Sequence, residues 1–219
     1  DRASRFFPFA TREQVNGQAT SGSANTSAED RIFSSEILFG NYHSKRTTDI
    51  FDKIFSYKLE AKNVLKMSDY GISQLYEDDG DLRKCQWQTQ RDTEGNVGQF
   101  FVKYGDVTDN GFEFAKLLPM IRMSEMYLIK AECTKDYKAL NPIRKARNIP
   151  QLKSNIGLNG YIEDEYVREF IGEGQLFWYY KRKGITSIPR LYNPNLQDMQ
   201  ITNSTYVFDL PDSEQQLRK

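Results

Sequence analysis

The sequence predicts a mostly α-helical chain with long irregular loops and a few short strands, organised around a helical hairpin. Three observations lead there. Across residues 117–132 apolar side chains recur at helical spacing, with Ile121, Leu128 and Ile129 in one set and Met120, Met123 and Tyr127 in another. A second helical pattern follows closely over residues 137–147, and a third covers 162–171. Elsewhere the apolar runs are short and are broken by Gly, Pro, Asn and Asp, the residues of turns and loops.

In chain order, residues 1–30 read as a linker or loop region, because positions 17–27 are dominated by Gly, Ser, Thr and Asn. Residues 31–219 read as one domain. Within it, Ile32-Phe33 and residues 36–39 are short extended segments, followed by a polar loop over 41–46. Thr48 is placed to cap a helix whose apolar face is Ile50, Phe51, Ile54 and Phe55, with Asp49 at the positive end of its dipole. Residues 68–76 suggest a short helix. Glu77-Asp78-Asp79-Gly80-Asp81 lacks the distant glutamate of an EF-hand loop, so it reads as a solvated acidic turn and no metal is expected there. Residues 84–90 and 99–104 read as strands joined through a Gly95-Asn96 turn, and 106–114 as a loop.

The central stretch carries more detail. Pro119 suits the first turn of a helix, where its missing N–H costs nothing. Apolar residues surround most of that helix, so it is expected to be largely buried, with Ile121, Leu128 and Ile129 packing beside Leu140 of the second helix. Arg122 can pair with Glu125 three residues on. Asp136 can cap the second helix, Pro142 predicts a kink or a late start, and Asn148-Ile149-Pro150 stops it. Helices this close in sequence form an antiparallel hairpin. In the third helix Ile162, Tyr166 and Phe170 share a face before Gly172-Glu173-Gly174 interrupts. Leu176-Phe177-Trp178-Tyr179-Tyr180 then sets five large side chains in a row, more than one core face can take. Gly184 is a left-handed stop after Lys183, residues 187–198 read as irregular, and 205–208 as a strand.

Composition excludes several classes. Lys+Arg and Asp+Glu are both 30, so no global field draws the chain to nucleic acid or anionic lipid. The single histidine, His43, rules out a histidine-rich metal site. Cys85 and Cys133 are expected to be free thiols, Cys133 a buried one because it ends an apolar helix. No apolar run approaches the ~20 residues that span a bilayer. No glycine-rich phosphate loop follows a strand and no G-x-S-x-G elbow occurs, so no cofactor is expected.

Residues 118–132, LPMIRMSEMYLIKAE, resemble the "PLIRLAEMYLIRAEA" helix of the SusD/RagB family. Residues 140–147, LNPIRKAR, resemble that family's "LNxVRxRAG", and the stretch from Arg168-Glu169 through Lys181-Arg182 its "RRELAFEGHRWFDLKR". Weaker likenesses are Ser34 to Phe39 with "SxEIIF", Asp81-Leu82-Arg83 with "DxR", and residues 210–214 with a closing "PIPQSE". Gly172, Leu176 and Tyr179 stand where the family commonly has an aromatic residue, arginine and aspartate, and Asn148 where it has glycine. The resemblance implies a SusD-like fold with a TPR-like helical hairpin, and a surface-exposed outer-membrane lipoprotein that binds glycans or other nutrients over a TonB-dependent, SusC-like channel. It also implies that this chain is the C-terminal part of a longer protein, lipid-anchored through a part outside it.

Binding of a nutrient, above all a glycan, without catalysis is therefore the leading expectation. Sugar recognition needs flat apolar faces framed by amides and guanidinium groups. In the segments before Leu117 the candidates on that chemistry are Trp87, Tyr42, Arg46, Tyr70, Tyr76 and Tyr104, with Trp87 first because Gln86 and Gln88 flank its indole. Each also has a packing role open to it. Arg122, Glu125, Glu132, Glu169 and Glu173 read as structural ion pairs and caps. The alternatives are a protein-interaction scaffold built on the helical hairpin, and a glycosidase using a carboxylate pair.

Overall fold

The computed structural model describes residues 3–17, 29–60, 62–76, 78–105, 113–189, 197–208, 211 and 213–214. Within the N-terminal segment, α1 (Ala3–Phe6) and α2 (Arg12–Asn16) are short, and α2 is held by a capping box in which Thr11 and Gln14 exchange hydrogen bonds. Ala10 and Val15 pack with Phe33 and Leu82.

Strand β1 (Ile37–Tyr42) pairs antiparallel with β5 (Leu117–Arg122) in a two-stranded sheet, with two irregularities of register near Phe39. Here the expected helix start is corrected. Residues 117–122 are extended and the helix that follows, α4 (Met123–Thr134), begins only at Met123. Proline disfavours helical backbone at the residue before it, Leu118, and among the described residues β5 has a partner on one side only, an edge position that suits Pro119 with its missing N–H.

A second sheet has the order β2 (Lys66–Met67), β4 (Val97–Phe101), β3 (Trp87–Arg91). The β3–β4 hairpin turns where expected, with Gly95 at φ 84°. The residues just before β3, Leu82–Gln86, form a 3-10 turn instead of strand. Helix α3 (Asp69–Leu75) has Ser68 as its cap, its hydroxyl accepting from the Gly71 N–H. Thr47–Phe55 is a π-helix, closed by the Ser56 N–H donating to Phe51 O. Thr48 does not cap it: its hydroxyl donates to Lys45 O, and of the expected face Phe51 and Phe55 are buried while Ile54 is half exposed.

The helical layer comprises α4 (Met123–Thr134), α5 (Tyr137–Ala146), α6 (Leu158–Phe170) and α7 (Gln175–Lys183). Asp136 caps α5 by accepting from the Lys138 N–H, and the helix starts at once and runs through Pro142. It ends at Ala146, and two residues on Asn148 has a φ of 60°, which explains why asparagine serves where the resembled motif has glycine: asparagine tolerates the left-handed region better than other side chains. Ile162, Tyr166 and Phe170 are all buried on α6, beside Leu128, Leu140 and Ile143. Gly172 combines a φ of 75° with close approach, since a Cβ there would lie 2.4 Å from the Phe101 ring.

Further expectations change. Helix α4 is not buried all round: Leu128 and Ala131 are enclosed, but Ile129 is 42% exposed, and Met126 on α4 and Ile121 on β5 also face out. Residues Asn203–Tyr206 form a 3-10 turn, not a strand, while β6 (Ser187–Ile188) and β7 (Met199–Gln200) pair within a region read as irregular. Both cysteines are free, but Cys133 is exposed; Cys85 is partly buried, and burial pushes its thiol up to about 12. Residues 18–28, Glu77, 106–112 and 190–196, where several loop expectations fall, lie outside the described residues.

Candidate functional site

The densest cluster of titratable groups is buried where sheets and helices meet. Arg147, at the end of α5, donates through both Nη atoms to Glu36 at 2.7 and 2.8 Å, and through Nε to Glu169 at 2.7 Å. Arg122, at the end of β5, donates to Glu169 at 2.9 Å and pairs with Glu173 at 2.9 Å, and Glu173 also meets Lys103. Arg83 grips Asp81 with two donors and reaches Glu165 at 2.6 Å and Glu169 at 3.1 Å. Arg144 donates to Glu165 at 2.7 Å. The side chains of Glu36, Arg83, Arg122, Arg147, Glu165, Glu169 and Glu173 are wholly enclosed.

Burial alone would raise Glu169, but the guanidinium groups of Arg147, Arg122 and Arg83 outweigh it and hold the carboxyl well below its usual range. General acid catalysis by a carboxyl needs the opposite, a raised pKa in a site that substrate can reach. This network joins elements from across the fold. It is also where the charged residues of the sequence motifs converge: Glu36, Asp81, Arg83, Arg122, Arg144, Arg147, Glu169 and Glu173. Arg122 thus pairs across the fold and not with Glu125, while Glu132 pairs with Arg182 at 2.8 Å.

The six sequence-predicted ligand residues do not come together. Trp87 is 6% exposed; its indole N–H donates to the Tyr76 hydroxyl at 3.1 Å and its ring meets Phe101 edge-on. Tyr76 and Tyr104 are enclosed in the same core. Arg46 is enclosed too, donating to the backbone oxygens of Leu117 and Gly105 and standing over the Tyr104 ring. These four present no free face to a ligand in this arrangement. The polar flanks that favoured Trp87 do not frame it, because alternation along β3 turns Trp87 inward and Gln88 away, while Gln86 donates to Arg31 O. Tyr42 on β1 and Tyr70 on α3 are exposed.

Two surfaces next to α7 offer more. The run of large residues on that helix divides three ways. Tyr179 stacks on Tyr166 of α6 at 4.0 Å. Leu176 and Tyr180, one turn apart, line a cleft of about 680 Å³. Its other walls are Leu65 and β2, the end of α3, Glu163 to Ile171 of α6 and its exit, and Ile185 to Pro189 including β6. Burial pushes the Tyr180 phenol up to about 12, so it stays a neutral hydrogen-bonding group. Phe177 and Trp178 instead form a ledge with the C-terminal segment. Phe208 lies 5.3 Å from Phe177 and 6.0 Å from Trp178, and Tyr206, packed on Phe177, donates to Ile185 O at 2.6 Å. Trp178 is 57% and Phe208 67% exposed, with the Lys181 ammonium over the indole. The sequence showed the aromatic run but not its division, which depends on residues as distant in the chain as Leu65 and Phe208.

Among the described residues no group of His, Cys, Asp and Glu is arranged to hold a metal ion, and no helix is long and apolar enough to cross a membrane. A family model described as the SusD family matches residues 12–218. Two solved structures from Bacteroides vulgatus ATCC 8482 share the fold. A SusD-like carbohydrate binding protein superposes with a TM-score of 0.58 at 18% identity, covering 83% of this chain and 47% of its own. A SusD superfamily protein superposes with a TM-score of 0.59 at 19% identity, covering 90% of this chain and 46% of its own. The chain thus spans about half the length of these structures. No curated protein matches the sequence.

Proposed function

This chain belongs to the SusD family, and on that premise we propose that it is part of a non-catalytic nutrient-binding protein of the cell surface whose ligand is a glycan. The observation that carries the reading is the family match over 12–218, supported by a likeness in fold to a SusD-like carbohydrate binding protein. In this reading the protein is anchored by lipid to the outer membrane through a part outside this chain. It passes its ligand to a TonB-dependent, SusC-like channel.

The exposed rings are where a sugar would stack. Trp178 and Phe208 offer adjacent flat faces beside a lysine ammonium that meets hydroxyls, and Tyr42 and Tyr70 keep open rings elsewhere. Calorimetry across a panel of oligosaccharides tests the reading. Trp178→Ala is expected to weaken the bound sugar by ~1–3 kcal/mol with the fold intact by circular dichroism. Tyr42→Ala and Tyr70→Ala report whether those rings contribute. A panel without a single binder sinks the glycan reading, and an oligosaccharide recovered shortened after incubation would favour the glycosidase. Copurification with an outer-membrane channel tests the delivery role.

The scaffold alternative keeps one specific observation. Met126, Ile129 and Cys133 line an outward stripe on α4, a face suited to another helix.

A further inference from the structure

We infer that the cleft walled by β2, α3, α6, α7 and β6 is a binding site for a small aliphatic amine, whose ammonium meets Glu163 and the Tyr180 ring while its hydrocarbon chain lies along the aliphatic wall. The ligand is of a different chemical class from a glycan, and neither Trp178 nor Phe208 of the ledge lines the cleft.

The wall is the first argument. Leu65, Met67, Val167, Ile171, Leu176 and Ile188 line the cleft, and Tyr180 is the one aromatic residue among those that do. Two apolar clusters leave this surface unfinished. Leu65, Val167 and Ile171 pack at the margin of the cluster beside the sheets, and Leu176 and Tyr180 at the margin of the helical one, all of them only partly buried. A hydrocarbon chain lying between the two margins leaves water on both sides. Each methylene buried in this way strengthens binding about fourfold. A sugar needs flat faces, and this wall has one ring. The volume, about 680 Å³, lies inside the range of about 300–1,000 Å³ usual for small-ligand sites.

Charge is the second. The two cations of the cleft have counter-charges elsewhere in the chain: Lys66 meets Asp92 at 2.7 Å, and Arg168 meets Glu165 at 3.3 Å while donating to Leu75 O at 2.6 Å. Neither Asp92 nor Glu165 lines the cleft. The carboxylates that do are Glu163 and Asp164, and Glu163 makes no ion pair among the described residues. The balance left facing the cleft is negative, which favours a cationic ligand over an anionic one.

The third is where that charge sits. Burial first, and then the Glu163 carboxylate, raise the Tyr180 phenol, so the two groups stand near enough to feel each other and the phenol stays neutral. An ammonium beside them gains a charge-assisted hydrogen bond to the carboxylate and the attraction of the ring face. One end of the cleft thus suits a cation and the rest a hydrocarbon chain, the two halves of an aliphatic amine.

The test uses the purified protein and three probes below their micelle-forming concentrations: octylammonium, butylammonium and octanoate. Octylammonium is expected to bind at one site in calorimetry, to raise the melting temperature, and to shift the methyl resonances of Ile171 and Ile188. Butylammonium, shorter by four methylenes, is expected to bind at least about tenfold more weakly. Octanoate is expected to bind about tenfold more weakly or worse, for want of the charge. Glu163→Gln is expected to weaken octylammonium about tenfold, the size of one charged hydrogen bond, without weakening octanoate. No binding by octylammonium overturns the inference, as does an equal affinity for octanoate or methyl shifts confined to other parts of the chain. A lowered melting temperature also overturns it, because the amine would then favour the unfolded chain. An unchanged affinity in Glu163→Gln removes that carboxylate and the inference with it. The oligosaccharide panel reads the glycan proposal separately: an amine result of either sign leaves it standing.

Discussion

Helices α4 and α6 invert the usual relation between hydrophobicity and burial. By sequence α4 is the apolar one, carrying Met123, Met126, Leu128 and Ile129, yet Met126 and Ile129 face solvent. By sequence α6 looks like a surface helix, with Glu163, Asp164, Glu165, Arg168 and Glu169, yet Glu165 and Glu169 are fully enclosed and Arg168 nearly so. The difference lies in what each faces. α4 packs on α5 and α6 through Leu128 and Ala131 and turns Met126 and Ile129 outward. α6 packs on α4 and α5 on one side and reaches the cluster around β3 and β4 on the other, and its carboxylates meet four arginines that arrive from β5, α5 and the turn before β3. The centre of this fold is thus a set of matched charges, with apolar clusters to either side.

The largest effect is expected where that matching is broken. Glu169→Gln removes the carboxylate shared by Arg83, Arg122 and Arg147 and leaves their charges enclosed without it. The expected loss is ~3–5 kcal/mol in denaturant titration, the usual cost of removing one partner from a buried ion pair. A loss below about 1 kcal/mol would mean that water reaches the network and that α6 is less enclosed than described.

Next comes Leu128→Ala on the packed face of α4, where the side chain is wholly buried. A loss of ~2–5 kcal/mol is expected from the missing contacts and the cavity. Equal losses for Leu128→Ala and for Ile129→Ala would erase the distinction between the two faces of α4.

Acid should dismantle the same centre by titration. Glu169 is held below its ordinary value in the folded chain, so the unfolded chain takes up that proton first as pH falls. The stability it contributes is complete above the unfolded value of about 4.3 and drains away below it, down through the lower native value. Asp30 and Glu125, which burial raises, act in the opposite sense. Thermal melts from pH 7 to pH 3 are expected to fall steeply below about pH 4 in the parent and less steeply in Glu169→Gln. Parallel curves would remove Glu169 as the cause.

What could be read from the sequence divides along the same line. Local chemistry was legible: the Asp136 cap, the Gly95 and Gly184 turns, and the face of Ile162, Tyr166 and Phe170 all depend on a few neighbouring residues. The motif charges were legible as structural, but not their partners, because Arg122 meets residues some fifty positions away and Arg147 reaches Glu36 across 111. Pro119 misled because a proline suits an edge strand as well as a first helical turn. Trp87 misled because its glutamine neighbours describe the sequence around it and not the space, which Phe101 and Tyr76 fill. The cleft and the ledge were invisible for the same reason: each is made where distant segments meet.

The smallest expected effect is the sharpest test of the comparison. The apolar spacing of α4 gives no means of telling Leu128 from Ile129, since both lie among apolar neighbours on an apparently all-round hydrophobic helix. The fold separates them: Leu128 is 0% and Ile129 42% exposed. Ile129→Ala removes side-chain area that is in good part already in water, so the transfer term shrinks and little cavity forms. Alanine also raises helix propensity at that site, which offsets part of the remainder. The expected loss is under about 1 kcal/mol by denaturant titration, against ~2–5 kcal/mol for its neighbour. A loss of Leu128 size would show that Ile129 is covered in solution. The outward stripe of α4 would then be an interface, and concentration dependence of that loss would separate a second copy of the chain from a contact made within it.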